Sequence, residues 1–223
     1  MVERDQANAN VSKEDAIKFQ IVRVPFFLET SYFDMPEDFS EPHLERMHRK
    51  FGGKEAFDRH ALQHALVPRG AAVGLDQLGF TEENLDKRRQ SSTLRSHRLV
   101  YYIAKKYSFE MSEKLYSVLN RKHFTEGGIL NDLNMLLAAV DEIGADRADC
   151  EQFLRSSVGV DAIFRTVREV HSLGINSIPT CVVDGRYIIG GTADIDEIYE
   201  LLTKVISRGK PSGLRRFEHL MEF

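Results

Sequence analysis

The chain of 223 residues contains only two cysteines and six prolines, and it has no tryptophan. Cys150 and Cys181 are too few for a disulfide scaffold, and they do not form a CxxC pair. Neither sign of charge dominates, because the net charge is −4 and the pI is about 6.1. This balance gives no electrostatic case for binding nucleic acid or an anionic membrane.

Long hydrophobic runs are also missing. No stretch approaches the roughly 18 to 20 apolar residues that span a bilayer, and the first 16 residues lack the apolar core of a signal peptide. The sequence therefore predicts a cytoplasmic protein without a membrane partner. Its 42% hydrophobic and 29% charged residues are typical of a globular protein, and its length fits one domain, or one domain carrying a large insertion.

The most informative stretch is GINSIPTCVVDGRYIIG at 174–190. An Asp-Gly pair between two runs rich in β-branched residues predicts a β-hairpin, because glycine accepts the positive φ of a tight turn. We expect strands at Thr180–Val183 and Arg186–Ile189, joined by a turn at Asp184–Gly185. Pro179 fits at the start of the first strand, where no ladder hydrogen bond needs its nitrogen.

Apolar periodicity organises the remaining chain. The run FQIVRVPFFL at 19–28 predicts a buried strand, and 31–157 is expected to contain helices and loops without strands. Apolar residues at helical spacing, together with residues that begin or end helices, predict the helices and one glycine-containing connection. The expected helices cover 42–51, 54–66, a stretch capped by Ser91 or Ser92, 111–119, 133–143, a stretch from Asp146 or Asp149, 161–173 and 194–206, with the connection at 68–79.

Five short motifs follow one another in an order that resembles the DsbA family of thioredoxin-like proteins. They are VPFFLE at 24–29, KFGG at 50–53, STLRSHRL at 92–99, EGGILND at 126–132 and IPTCVVDGRYIIGG at 178–191. The pattern is most similar to the FrnE-like branch, which also resembles 2-hydroxychromene-2-carboxylate isomerases and kappa-class glutathione transferases.

The resemblance implies an α/β thioredoxin-like fold, incomplete at its N-terminus, with a large all-helical insertion domain. The thioredoxin-like part would comprise 19–30 and 158–208, and the insertion 31–157. Residues 1–18 would be a disordered segment with a remnant of the first helix, and 209–223 a mobile tail.

The resemblance also implies where a substrate would bind. In the family the proline before the third strand is cis, and the backbone preceding it faces the redox site. Ile178 and Pro179 would then pair with an extended peptide or with glutathione; a trans proline that only begins a strand is the alternative. Ser92 and His97 occupy positions near the substrate site of relatives, which often carry Asn at the position of Ser92. A structural, hydrogen-bonded His97 is the alternative there.

The family's chemistry needs a CxxC after the first strand, where a helix N-terminus lowers the pKa of the attacking thiol. No cysteine precedes Cys150, so no catalytic residue is assigned, and we expect an N-terminally incomplete version of the family. Cys150 and Cys181 are predicted to be small buried hydrophobic residues, the alternative being a redox pair. His60 and His64 have the spacing of a metal pair but no accompanying carboxylate motif, which favours a solvated helix face and no metal.

Three hypotheses for function remain. The first is a thiol–disulfide oxidoreductase relative that is inactive without its CxxC. The second is a glutathione-dependent isomerase or transferase, with glutathione as its cofactor. The third is a non-enzymatic protein that binds a thiol-containing protein or another partner at the Ile178–Pro179 edge. A homodimer would complete the sheet between two chains.

Overall fold

A computed structural model describes residues 22–64, 66–72, 74, 81–191 and 193–209. A 3₁₀ turn at Thr30–Asp34 precedes the first strand. Four short strands lie in these residues: β1 Ser40–Pro42, β2 Arg89–Ser91, β3 Thr180–Val183 and β4 Tyr187–Gly190. The helices are α1 His43–Phe51, α2 Lys54–His64, α3 Leu66–Ala71, α4 Glu82–Lys87, α5 Leu94–Lys106, α6 Phe109–Thr125, α7 Leu133–Ile143, α8 Arg147–Arg155, α9 Val160–Ser172 and α10 Ile195–Ser207.

A helical core is formed by α5 to α8. Helix α7 shows why the sequence folds this way: Asp132 accepts a hydrogen bond from the Met135 amide at its start, and Gly144 ends it with φ of 75°. Its apolar stripe packs into a cluster of buried residues. That cluster contains Leu99, Val100, Ile103, Leu115, Leu119, Leu136, Leu137, Ala139, Val140, Cys150, Phe153 and Leu154. The predicted helix at 133–143 is confirmed with its bounds unchanged.

A second cluster joins the N-terminal segment to α9 and the hairpin. Its buried members are Phe27, Tyr101, Ile163, Val167, Val170 and Ile175. Leu94 from the start of α5 and Val182 from β3 pack against it. The candidate functional site described below packs against this second cluster.

The predicted β-hairpin is confirmed. Strands β3 and β4 pair antiparallel, with Thr180 opposite Gly190 and Val183 opposite Tyr187. Asp184 and Gly185 have φ of 53° and 66°, and the Arg186 amide donates to the Val183 carbonyl at 3.1 Å. The second strand begins at Tyr187 rather than Arg186, because Arg186 closes the turn instead of entering the ladder.

The expected strand at 19–28 is wrong for the part that is described. Residues 22–28 adopt no strand, and 19–21 lie outside the described residues. Among the described residues the hairpin forms a two-stranded sheet, and no described strand offers 22–28 a hydrogen-bond ladder. Phe27 is instead buried in the second cluster, and the partly buried Val24 and Phe26 pack against it.

Within 31–157 the expectation of helices alone also needs correction. Strands β1 and β2 pair antiparallel, and Arg89 donates to the Ser40 hydroxyl at 2.9 Å and to the Ser40 carbonyl at 2.6 Å. The expected connection at 68–79 begins inside α3, since proline is tolerated in the first turn of a helix. The expectations for 1–18 and for 210–223 lie outside the described residues.

Helix α10 lies where it was predicted, but it is not buried. Asp194 caps it by accepting from the Asp196 amide at 2.9 Å. None of its residues is buried, and Ile195 is 77% exposed. Among the residues that the structure describes, no helix combines the length and apolar character needed to cross a bilayer.

Replacing Gly128 by alanine should destabilise the fold by about 1–3 kcal/mol, because overpacking forces the surrounding backbone to move. A Cβ at Gly128 would lie 3.0 Å from the Lys122 carbonyl oxygen, which already accepts from the Gly128 amide at 2.8 Å. Gly190→Ala is the matched control, since its Cβ would meet nothing within 4 Å. Urea unfolding of both variants measures the difference; equal midpoints would contradict it.

Candidate functional site

The loop between α9 and β3 is held by local hydrogen bonds. The Thr180 hydroxyl donates to the Ser177 carbonyl at 2.7 Å, and the Gly191 amide donates to the Pro179 carbonyl at 2.8 Å. The peptide bond between Ile178 and Pro179 is cis, as the resemblance implies. Ile178 is 49% exposed. Its backbone makes no hydrogen bond to another described residue.

The free edge of β3 continues from this loop. In an antiparallel pair, alternate residues direct their N–H and C=O groups toward the partner strand. Pro179 bonds toward the β4 side, so Thr180 and Val182 direct these groups to the opposite edge. Among the described strands none pairs with that edge. Ile178, Thr180 and Val182 therefore form one edge with hydrogen-bonding capacity, called the β3 edge below.

Ser92 is a turn residue at the start of α5. Its hydroxyl accepts a hydrogen bond from the Leu94 amide at 3.3 Å, and the residue is half-buried. This bond satisfies one of the free amides at a helix N-terminus. The hydroxyl is thus engaged within its own turn.

His97 faces the N-terminal segment. Its ring packs edge-on against Phe27 with centroids 5.4 Å apart. Burial of the imidazole lowers the pKa of His97 to about 4, although a hydrogen bond to the Phe26 carbonyl opposes that shift. Part of the residue remains accessible to solvent, but the imidazole ring, which carries the titrating proton, is desolvated. His97 is neutral near pH 7 and holds residues 26 and 27 against α5.

The four predicted site residues thus border one cluster without forming one hydrogen-bonded group. Leu94, beside Ser92, and Val182, beyond Pro179, both pack on the second cluster. Within the described part of the chain no hydrogen bond joins Ser92 or His97 to the loop at Ile178. The loop exposes the backbone of Ile178 to solvent, whereas Ser92 bonds within its own turn and His97 packs on Phe27.

The two cysteines occupy different environments, and neither is in a disulfide. Cys150 is fully buried, as predicted, and burial is the main cause that raises the pKa of its thiol to about 11. The prediction that Cys181 is buried is wrong: it is exposed on β3. Val182 points to the second cluster, so period-two alternation along the strand turns Cys181 to the other side.

A metal is not suggested by the described side chains, among which no three His, Cys, Asp or Glu residues come together. His60 packs on the Phe51 ring at 4.3 Å. The side chain of His64 lies outside the described part, so the His60–His64 spacing is not tested.

Sequence reasoning missed Arg98, which follows His97 in the same motif. Arg98 is 3% exposed and donates to the carbonyls of Phe153, Ser156 and Val158 at 3.1, 2.6 and 2.9 Å. It binds the end of α8 to α5. A charged residue within the apolar pattern of α5 was the available signal, because a buried arginine needs partners.

Comparison with known proteins agrees with this geometry. The sequence profile of the DSBA-like thioredoxin domain matches residues 59–203, which is more than half of the chain. A crystal structure of a probable DsbA oxidoreductase from Streptomyces coelicolor superposes with a TM-score of 0.65 at 23% identity, covering 81% of this chain and 74% of that one. A search of curated protein sequences gave no match. The fold is accordingly thioredoxin-like with a helical insertion, and the chain belongs to the DSBA-like thioredoxin domain family.

Proposed function

We propose that this DsbA-like chain binds a thiol-containing peptide, or glutathione, in extended form along the β3 edge. The observation that carries the proposal is the exposed Ile178, whose backbone is unused within the described part of the chain. An added strand would bond to that backbone and continue along Thr180 and Val182. Membership of the FrnE-like branch and a cytoplasmic location belong to the same proposal.

We further propose that the chain as given does not catalyse dithiol oxidation on its own. Dithiol exchange needs an attacking thiolate and a second thiol that resolves the mixed disulfide. The sequence has no CxxC, and the buried Cys150 has a raised pKa that keeps it protonated. Cys181 alone has no resolving partner, since both cysteines are free and only Cys181 is exposed. Binding without turnover is the function that remains.

Ile178→Pro should weaken peptide binding about tenfold, because it removes one backbone donor worth roughly 1.4 kcal/mol. The probe is a fluorescein-labelled extended octapeptide with one central cysteine, and the readout is anisotropy. Ile178→Ala is the matched control, since it keeps the backbone donor and should change the affinity less than threefold. Circular dichroism checks that both variants fold. Equal affinities for the two variants would overturn the assignment of the Ile178 backbone.

Catalysis and the nature of the ligand need separate measurements. Insulin reduction by this chain with dithiothreitol should not exceed the rate without protein; faster reduction would contradict binding without turnover. Calorimetric titration with reduced glutathione distinguishes a glutathione site from a peptide site. The glutathione-dependent isomerase has no supporting observation, because the Ser92 hydroxyl is engaged with Leu94.

A homodimer that completes the sheet remains part of the proposal for partners. Pairing of two β3 edges would use the same backbone groups as the peptide. Light scattering across a concentration series should then show dimers that dissociate when the octapeptide is added.

A further inference from the structure

Three exposed residues, Asn176, Ser177 and Ile178, lie in the loop that leads into β3. On one side of them Ile175 is buried in the second cluster, and on the other the Thr180 hydroxyl donates to the Ser177 carbonyl. Among the three, Asn176 is the residue whose side chain forms hydrogen bonds to other described residues. Its contacts therefore decide how this exposed part of the loop is held.

Asn176 connects the loop to the end of α9. Its amide nitrogen donates to the Gly174 carbonyl at 3.2 Å, and its amide oxygen lies 3.3 Å from Nδ1 of His171. An amide oxygen can only accept a hydrogen bond, so the His171 ring donates from a protonated Nδ1. The side chain of Asn176 is thus bonded at both of its ends.

The ring of His171 also contacts the N-terminal segment. Its centroid lies 5.6 Å from that of the Phe26 ring, and the two rings are tilted by 52°. Such tilted pairs are among the favourable arrangements of aromatic rings. Phe26 packs against the second cluster, and its carbonyl accepts a hydrogen bond from His97. A continuous series of contacts therefore runs from α5 through Phe26 and His171 to Asn176.

The N-terminal segment is itself anchored on both sides of Phe26. Arg23 donates two hydrogen bonds to Glu113 of α6, at 2.8 and 2.7 Å, and its Cζ lies 4.1 Å from the centre of the Tyr116 ring. On the other side, Phe27 is buried in the second cluster. The ring of Phe26 therefore has a defined position against which His171 can pack.

We propose that Phe26, His171 and Asn176 are positioning residues, which hold the loop so that the Ile178 backbone is ready to bind a peptide at the β3 edge. This inference rests on the function proposed above and names the residues that prepare its site. A loop that is already held in one conformation loses less entropy when it orders around a ligand, so these contacts should raise affinity without touching the peptide.

Variants of Asn176 and His171 test the two kinds of contact. Asn176→Ala should weaken binding of the labelled octapeptide about fivefold, because the peptide must then order the loop itself. His171→Phe keeps a ring but cannot donate, and His171→Gln can donate but has no ring, so each should weaken binding about threefold. Ser172→Ala is the matched control, since the Ser172 hydroxyl donates to the Glu169 carbonyl within α9. Equal affinities of Asn176→Ala and this control would overturn the proposal.

A double-mutant cycle tests whether Phe26 and Asn176 act along the same series of contacts. Phe26→Leu keeps apolar packing on the second cluster but removes the ring. In that background the effect of Asn176→Ala should fall from about fivefold to less than about twofold, because the series is already interrupted. An undiminished effect would show that Asn176 acts without Phe26.

A measurement without peptide separates this proposal from the function on which it rests. Hydrogen exchange of the amides over 174–178 should become about fivefold faster in Asn176→Ala and in Phe26→Leu, because fewer contacts oppose local opening. Exchange in the Ser172→Ala control should not change. Unchanged exchange in the first two variants would overturn the positioning role even if the octapeptide binds. Faster exchange in a chain that does not bind the octapeptide would support the positioning of the loop and overturn the peptide site alone.

Discussion

Replacing Arg98 by alanine should lower the free energy of unfolding by about 3–5 kcal/mol, one of the two largest effects that we expect. Its guanidinium donates to three backbone carbonyls at the end of α8 and just beyond it, and its Cζ lies 5.0 Å from the centre of the Phe153 ring. A hydrogen bond from a charged donor contributes roughly 1.5–3 kcal/mol, and the three are not additive. Alanine would also remove the donor to the Ser156 and Val158 carbonyls, whereas the Phe153 carbonyl would keep its hydrogen bond from the Ser156 amide.

Two further variants separate charge from geometry. Arg98→Lys keeps the charge but cannot reproduce the planar fork, and we expect it to recover less than half of the loss. Arg155→Ala is the control, because Arg155 forms an exposed pair with Glu151 one turn away, and it should cost less than about 0.5 kcal/mol. Urea unfolding followed by circular dichroism gives all three values. A loss below 1 kcal/mol for Arg98→Ala would show that other groups hold the end of α8.

Local signals in the sequence predicted the elements whose stability is set within a few residues. Helix α7 is defined by Asp132 at one end and Gly144 at the other, and the hairpin by Asp184 and Gly185. In each case a side-chain cap or a positive φ acts on its immediate neighbours. Such features need no knowledge of the remaining fold.

Features that depend on distant partners were predicted poorly. Residues 22–28 have a strand-like composition, but a strand also needs a neighbour with which to pair. Cys181 was expected in the core because β3 is apolar, whereas only the side that bears Val182 reaches the second cluster. The pattern of one strand does not show how many layers cover it.

The candidate site also combines features set by local sequence with features set by distant partners. Resemblance placed Ile178 and Pro179 at the start of β3, and the structure leaves the Ile178 backbone exposed there. Resemblance also drew attention to His97, but its neighbour Arg98 makes the more extensive contacts. Which of two adjacent helical residues faces a buried carbonyl depends on α8, more than 50 residues away. The motif alone could not give that orientation.

Lowering the pH from about 6.5 to about 4 should destabilise the protein through its buried histidines. Burial lowers the pKa of His97 to about 4, and burial, followed by the nearby Arg88 and Arg46, lowers that of His43 to about 4. The unfolded chain takes up these protons near pH 6.5, so it is favoured as the pH falls. Below about 4 the folded state is protonated too, and this loss levels off.

His97→Gln isolates the contribution of one ring, since glutamine can still donate to the Phe26 carbonyl but does not titrate. A pKa shift of this size corresponds to roughly 3 kcal/mol of stability, and we expect about 2 kcal/mol because part of the residue stays accessible to solvent.

The range from pH 5 to 6.5 separates the effect of the histidines from that of the carboxylates. Carboxylates such as Glu41, whose pKa is lowered mainly by its hydrogen bond from Arg49, withdraw their stabilisation only below about pH 4.5. Urea unfolding at half-unit pH steps should give a flatter profile for His97→Gln than for the unmodified chain, and flatter still for the double variant His43→Gln, His97→Gln. Parallel profiles would show that the His97 ring is solvated and does not fix the N-terminal segment.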